Sequence, residues 1–193
     1  GARTTVNPFA VQEVADALQG VDIPVLVKNP VNPDLSLWRG ALERVNQAGI
    51  RKMAALHRGF SGVEKTHLRN NPQWQLCIEL KRLCPELPLF CDPSHIAGHR
   101  QYLREIAQEA VDLQYDGLMI ETHRDPEHAL SDAAQQVTPS DLDDLLNRLV
   151  IRQATADDAG FRRKLGWHRG EIDRIDAALM AMFAERMQHV ESI

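Results

Sequence analysis

The run Ile23-Pro24-Val25-Leu26-Val27-Lys28-Asn29-Pro30 is short, apolar and β-branched, and it stops at a cation and an amide. After Pro33-Asp34, the apolar residues Leu37, Trp38, Ala41, Leu42 and Val45 recur at helical spacing until Gly49. A brief strand-like run followed by a 3.6-residue period reads as one β-loop-α unit. The same pattern repeats downstream: a strand over 52–56 and a helix over 72–83, a strand over 87–91 and a helix over 101–113, a strand over 117–121 and a helix over 140–150. Upstream, Asn7-Pro8 starts a helix over 9–19 that ends at Gly20, with an amide cap, proline at the first helical position and glycine at the stop. Gly1-Ala2-Arg3-Thr4-Thr5 reads as the tail of a further strand and its loop. Alternation of this kind predicts a parallel sheet with crossover helices.

Each predicted strand ends in groups suited to phosphate or metal. Val25-Leu26-Val27 ends in Lys28-Asn29, Met53-Ala54-Ala55-Leu56 in His57-Arg58, Leu89-Phe90-Cys91 in Asp92-Pro93-Ser94-His95, and Leu118-Met119-Ile120 in Glu121-Thr122-His123. Parallel α/β folds bind ligands at the carboxyl ends of their strands, so these endings point to one shared site. The long loops, 57–71 and 122–139, fall on that side, whereas the returns at 20–22 and 48–49 are short.

Two constellations stand out. Arg3, Lys28 and Arg58 each lie at or just beyond a different strand end. Three converging cations suit a phosphorylated carboxylic acid, because Arg grips planar oxyanions bidentately and Lys supplies a point charge. The competing reading makes each a separate surface cation. His95, Glu121 and Asp132 offer one imidazole and two carboxylates, a donor set for a divalent ion of the Mn, Fe, Co or Zn type. Against it stands a capping Asp132, a loop His95 and an ion-paired Glu121. His57, His99, His123 and His128 crowd the same rim, and most of them read as solvated or outer-sphere groups.

Composition narrows the function classes. The 193 residues are 44% hydrophobic and 25% charged, with a net charge of −5. Such a chain is globular, and its charge argues against nucleic acid as a partner. No apolar stretch approaches the roughly 20 residues of a membrane span, and no signal peptide opens the sequence. Cys77, Cys84 and Cys91 fit neither a zinc motif nor a disulfide framework, so the expected setting is reducing and cytoplasmic, with the three thiols as small buried hydrophobes.

The periodicity lapses over 151–165 and resumes as one helix carrying Ile172, Ile175, Leu179, Met182, Phe183, Met187 and Val190 on a stripe. The expected organisation is a (β/α) unit over 1–150, a linker over 151–165 and a helix over 166–193. A closed eight-stranded barrel takes roughly 250 residues, so only the later β/α units of one are expected here. Exposed strand edges would then invite a partner chain.

The motifs also carry a family resemblance. Gly1-Ala2-Arg3-Thr4-Thr5, Lys28-Asn29-Pro30, His57-Arg58-Gly59-Phe60-Ser61, Cys91-Asp92-Pro93-Ser94-His95, and Gly117 to Glu121 through Ala129-Leu130-Ser131-Asp132 resemble, in order and spacing, 3-deoxy-D-arabino-heptulosonate 7-phosphate (DAHP) synthase. The resemblance implies a (β/α)8 TIM barrel condensing phosphoenolpyruvate with erythrose 4-phosphate in aromatic amino-acid synthesis, the shikimate route. It implies that Ala2, Arg3, Lys28 and Arg58 hold phosphoenolpyruvate, with Lys28, Arg58 and His95 catalytic, and that His95, Glu121 and Asp132 are three of four metal ligands. The family's fourth ligand, a cysteine, and its Lys-Pro-Arg-Thr segment would precede Gly1, and the expectation is of a chain lacking both ends of the complete protein.

The final helix has its own resemblance. Arg169-Gly170-Glu171-Ile172-Asp173-Arg174-Ile175-Asp176 and Leu179 through Ala184-Glu185-Arg186 resemble the first helix of all-helical chorismate mutases. This implies that Arg169 and Arg186 bind the carboxylates of chorismate or prephenate, in a homo-oligomer joined through the helical segment. Two rivals are an enzyme like 3-deoxy-manno-octulosonate 8-phosphate synthase and a non-catalytic half-barrel binding anions or a partner chain.

Overall fold

The computed structural model describes residues 1–62, 66–152 and 159–191. It divides into two units, Gly1–Ile151 and Arg152–Ile193. Residues 153–158, the Ala-Thr-Asp-rich part of the expected linker, lie outside the described residues, as do 63–65 of the loop after the second strand and the last two positions.

The first unit is built on a sheet of four described strands: β1 (Val25–Lys28), β2 (Met53–His57), β3 (Leu89–Cys91) and β4 (Gly117–Leu118), in spatial order β1-β2-β3-β4. All three pairings are parallel, with Lys28 opposite Leu56, His57 opposite Cys91, and Cys91 opposite Leu118. This register brings the polar strand endings to one side of the sheet. Strands and helices alternate because the hydrophobic period switches between them. Helices α2 (Pro8–Ala17), α3 (Leu35–Gln47), α4 (Trp74–Leu83), α6 (Leu103–Asp112) and α7 (Pro139–Asn147) occupy the predicted stretches within a few residues at each end. Asn7 caps α2, Asp34 caps α3, and Thr138 with Asp141 forms a capping box on α7.

Two cores follow. One packs Trp38, Ala41, Leu42 and Val45 of α3, with Val11 of α2 and Cys77 and Leu80 of α4, against Val27, Ala55 and Leu89. Trp38 is wholly buried and donates its indole N–H to the Val27 carbonyl at 3.1 Å, which ties α3 to β1. The other gathers Ile96, Leu103, Ile106, Ala107, Ala110, Val137 and Leu145 around Cys91. Gly117 lets β4 lie close under the Phe90 ring of β3: a Cβ there would come within 2.2 Å of Phe90 Cε1, so any larger residue would have to push that ring aside.

Three expectations are corrected. Gly1–Thr5 does not form the tail of a strand. Ala2–Thr5 is a helical turn, α1, pinned by the Thr5 hydroxyl, which donates to the Lys28 carbonyl at 2.8 Å. A strand needs a ladder partner, whereas a helical turn satisfies its backbone locally, as Thr5 N–H does on Gly1 O at 2.9 Å. The expected strand over 117–121 narrows to Gly117–Leu118, and Glu121 follows it in irregular chain. His95 is not on a loop: Asp92 caps a short helix, α5 (Pro93–Ala97), that carries it.

Among the described residues the second unit holds one helix, α8 (Ala159–Glu191), which begins earlier than the lapse in periodicity suggested. Its apolar stripe is exposed: Ile172, Ile175, Leu179 and Phe183 are 42–60% accessible. No described helix is long and apolar enough to cross a membrane.

Candidate active site

Lys28 closes β1, Arg58 follows β2, and Arg3 stands on α1. With Ala2, Arg69, Asn70 and His95 they line one open cavity of about 580 Å³. The three predicted cations therefore converge, and Arg69 joins them. Asn29, fully buried, holds the strand ends in place: it donates to Pro30 O and Gly59 O, both at 2.8 Å, and accepts the Arg58 backbone N–H at 2.7 Å. Such a satisfied buried amide fixes where Arg58 leaves the sheet. The Arg58 guanidinium donates to Asn70 Oδ1 at 3.0 Å, and Asn70 in turn donates to His95 O at 2.6 Å. Burial first, and then the neighbouring Arg69 and Arg3 charges, lower the Arg58 pKa, against the opposing pull of Asp92 and Asp132. A half-buried cationic cluster of this kind favours an anion.

Lys28 reaches Asp92 Oδ2 at 3.3 Å. The Asp92 carboxylate is nearly inaccessible and also accepts the His95 backbone N–H at 3.0 Å as the cap of α5. Burial pushes its pKa up, but the His95 ring, the His95 N–H and the Lys28 charge outweigh that and hold the carboxyl below its ordinary range. Asp92 thus orients both a cavity cation and a donor of the second constellation.

That constellation also assembles. One donor atom each from His95, Glu121 and Asp132 lie within 4.8 Å of one another. Their side chains are 17%, 31% and 32% exposed. His95 Nδ1 is buried, with Asp92 Oδ2 at 2.8 Å and Glu121 Oε1 at 3.7 Å as its carboxylate neighbours. The Glu121 backbone N–H donates to Ser94 Oγ at 2.9 Å, so α5 positions both His95 and Glu121. Asp132 has φ of +50°, in the left-handed region that Asp tolerates better than most side chains. An imidazole and two clustered carboxylates, one with its backbone in that uncommon conformation, fit a borderline divalent ion.

Several contributors escaped the sequence reading. Gln135, buried at 1% accessibility, donates to Glu121 Oε2 at 2.7 Å and accepts from Arg69 at 2.7 Å. Arg69 also pairs with Asp132 Oδ1 at 2.7 Å. Neither has a local sequence signal, since both act across loops.

His57 corrects a further expectation. It is fully buried rather than solvated, and it stacks edge-on against Trp74 with ring centroids 5.1 Å apart. Its Nε2 meets the Pro72 carbonyl at 2.7 Å and its Nδ1 the Tyr115 hydroxyl at 3.0 Å. A carbonyl only accepts, so Nε2 carries the proton and Tyr115 donates to Nδ1. Burial depresses its pKa to about 4. His99 and His128 lie on the exposed surface and His123 is half-buried. Cys77 and Cys91 are buried thiols with raised pKa values, caused chiefly by burial, and Cys84 is half-buried. Arg169 and Arg186 are exposed on α8, 17 residues apart, which is about 25 Å along a helix.

The model of the DAHP synthetase I family matches residues 1–155. The phospho-2-dehydro-3-deoxyheptonate aldolase of Thermotoga maritima is 29% identical over 114 residues, 59% of this chain and 33% of its own. The 2-dehydro-3-deoxyphosphooctonate aldolase of Agrobacterium fabrum is 40% identical over 133 residues, 62% of this chain and 45% of its own. A truncated DAHP synthase from T. maritima superposes with a TM-score of 0.64 at 25% identity, over 76% of this chain and 54% of that one. A second T. maritima DAHP synthase structure gives 0.65 at 25% identity, over 76% and 42%. The chain thus spans between a third and about half of these relatives, and its parallel sheet matches folds of the TIM-barrel type. A family match that runs through every element of the first unit, over a sheet that superposes on solved synthases, means that the chain belongs to the DAHP synthetase I family.

Proposed function

We propose that the first unit carries the phosphoenolpyruvate and metal side of a DAHP synthase site, acting on phosphoenolpyruvate and erythrose 4-phosphate. The observation that carries this reading is the cavity lined by Arg3, Lys28 and Arg58, which reaches His95 and, through it, the cluster with Glu121 and Asp132. Arg3 and Arg58 offer paired N–H donors to a carboxylate or phosphate, Lys28 adds a point charge, and Ala2 lines the same wall. Asn29, Asn70 and Asp92 hold these groups before substrate arrives, so little reorganisation is needed as charge develops.

His95, Glu121 and Asp132 would hold the divalent ion, of the Mn, Fe, Co or Zn type. Bound there, the ion supplies a Lewis acid for the sugar aldehyde. The enol carbon of phosphoenolpyruvate forms the new C–C bond to the aldehyde carbon, water adds at the phosphate-bearing carbon, and phosphate leaves. The test is phosphate release by this chain with both substrates and Mn²⁺, with and without chelator. Chelator-sensitive release supports the assignment, and release that chelator leaves unchanged argues against it.

The octulosonate relative favours one alternative, an aldol synthase that takes a longer sugar. A seven-carbon product needs a four-carbon aldose and an eight-carbon product a five-carbon one. Turnover with erythrose 4-phosphate against a five-carbon aldose phosphate separates the two.

For the second unit we propose the first helix of a chorismate mutase that acts, in the complete protein, on chorismate or prephenate through a homo-oligomer. Its support is the Arg169 and Arg186 spacing on one continuous helix with an exposed apolar stripe. Two arginines about 25 Å apart along a helix cannot grip one small dicarboxylate, so each would serve a site completed by another chain. Arg186→Ala in the complete protein is expected to lower mutase turnover at least about 100-fold and leave phosphate release unchanged. Retained mutase turnover removes this reading.

A further inference from the structure

The cluster of His95, Glu121 and Asp132 already has a cation beside it. Arg69 places one guanidinium nitrogen 2.7 Å from Asp132 Oδ1 and 2.7 Å from Gln135 Oε1, and Gln135 passes its amide N–H on to Glu121 Oε2 at 2.7 Å. Both carboxylates are therefore tied, directly or through a buried amide, to one arginine. The same arginine lines the cavity that holds Arg3, Lys28 and Arg58. Its base is fixed: the Arg69 backbone N–H donates to Ala97 O at 3.3 Å, and its Cβ presses on Gly98, where an added Cβ would lie 2.4 Å away. Gly98 has φ of +68°, so this approach is built into the turn after α5. With the base fixed, the guanidinium stands between the carboxylates that hold it on one side and the anion cavity it lines on the other.

We propose that Arg69 is an exchangeable counter-ion of the metal cluster: a divalent ion takes Asp132 from it, and the released guanidinium turns into the cavity as a fourth cation for a bound anion. This rests on the metal reading given above and adds a coupling to it. A dication held by Asp132 would sit within a few ångströms of the guanidinium on its Oδ1, and two like charges that close repel each other even when each takes its own carboxylate oxygen. An anion that draws Arg69 into the cavity leaves Asp132 free for metal. By linkage, metal and anion then strengthen each other's binding by the same factor. Neither Arg69 nor Gln135 needs to touch the metal for this to hold.

The test uses the full chain and no turnover. Mn²⁺ is titrated calorimetrically, and free Mn²⁺ is followed by its paramagnetic resonance signal, in wild type, Arg69→Gln and Asp132→Asn, with and without sulfate as the anion probe. Thermal melts check that each variant is folded. Arg69→Gln is expected to bind Mn²⁺ about 5- to 20-fold more tightly than wild type, because the competing cation is gone. Sulfate is expected to tighten Mn²⁺ binding several-fold in wild type and much less in Arg69→Gln. Unchanged or weaker Mn²⁺ binding by folded Arg69→Gln would overturn the exchange, since Arg69 would then be holding Asp132 in its ligating pose. Arg69→Lys, which keeps the charge but loses the planar fork, is the second variant, and it too must bind more loosely than Arg69→Gln. If Asp132→Asn binds Mn²⁺ as wild type does, the metal reading itself fails, an outcome distinct from failure of the exchange.

Discussion

Replacing His95 or Glu121 by alanine is expected to weaken Mn²⁺ binding by roughly 100-fold or more and to take chelator-sensitive phosphate release to background. The geometry explains why two such different residues are equivalent in this respect. Each contributes one of three donor atoms that lie within 4.8 Å of one another, and removing one leaves a pair that cannot enclose an ion. The two variants differ in their side effects. Glu121 is tied to Gln135 and, through its backbone, to Ser94, so its loss leaves the buried Gln135 amide without an acceptor. His95 reaches Asp92 and, through its own carbonyl, Asn70, which steadies Arg58. His95→Ala keeps that carbonyl, so anion binding is expected to survive where metal binding is lost. A mutase activity carried by α8 in the complete protein is expected to be unaffected by either change. Synthase turnover within a few-fold of wild type in either variant would show that the ligand assignment is wrong.

Acid is expected to destabilise the first unit over a window set by one residue. His57 has a folded pKa of about 4 against an ordinary value of 6.5, because burial disfavours its charged form. Between those values the unfolded chain binds a proton that the folded chain does not, so stability rises with pH across the window and falls as pH drops through it. A shift of this size corresponds to about 3 kcal/mol, lost progressively from about pH 6.5 down to 4. The depressed Asp92 contributes in the same direction but lower on the scale: its stabilisation is lost only as pH falls below the ordinary carboxylate value, 3.8. Urea unfolding at pH 7, 5.5 and 4.5 reads the effect directly. In His57→Gln the slope between pH 6.5 and 4 is expected to flatten. A wild-type midpoint that does not move across that range would mean that His57 titrates alike folded and unfolded, as a solvated imidazole does, and a midpoint that rises as pH falls would mean that it is held protonated in the fold.

His57 also shows how a function-bearing position can be misread from its neighbours. It precedes Arg58 at a strand end, among polar groups, and by position alone it belongs to the rim. Its side chain instead points into the core, where Trp74, Phe60 and Tyr115 surround it, because successive side chains of a strand leave on opposite faces. Arg58, one residue on, faces the cavity. Alternation could have separated the two, but only with knowledge of which face was covered.

The parts legible in the sequence are those written in local periodicity. The parallel α/β class, the placement of α2, α3, α4, α6 and α7, and the convergence of Lys28 and Arg58 at strand ends could be read from it, whereas Arg3 reaches the same cavity from a helical turn and not from the strand end expected of it. Strand ends are legible because hydrophobic spacing is a near-neighbour property and parallel strands bring their ends to one side; the His95, Glu121 and Asp132 cluster rested instead on the family resemblance, since no compact motif joins the three. The conformation of Gly1–Thr5, the burial of His57 and the supporting shell depended on the folded chain. Arg69 meets Asp132 across 63 residues and Lys28 meets Asp92 across 64, and no spacing rule spans such loops. Only packing the helices against the sheet brings these charges within bonding distance, and so it was the tertiary structure that assigned the cluster of donors its counter-ion.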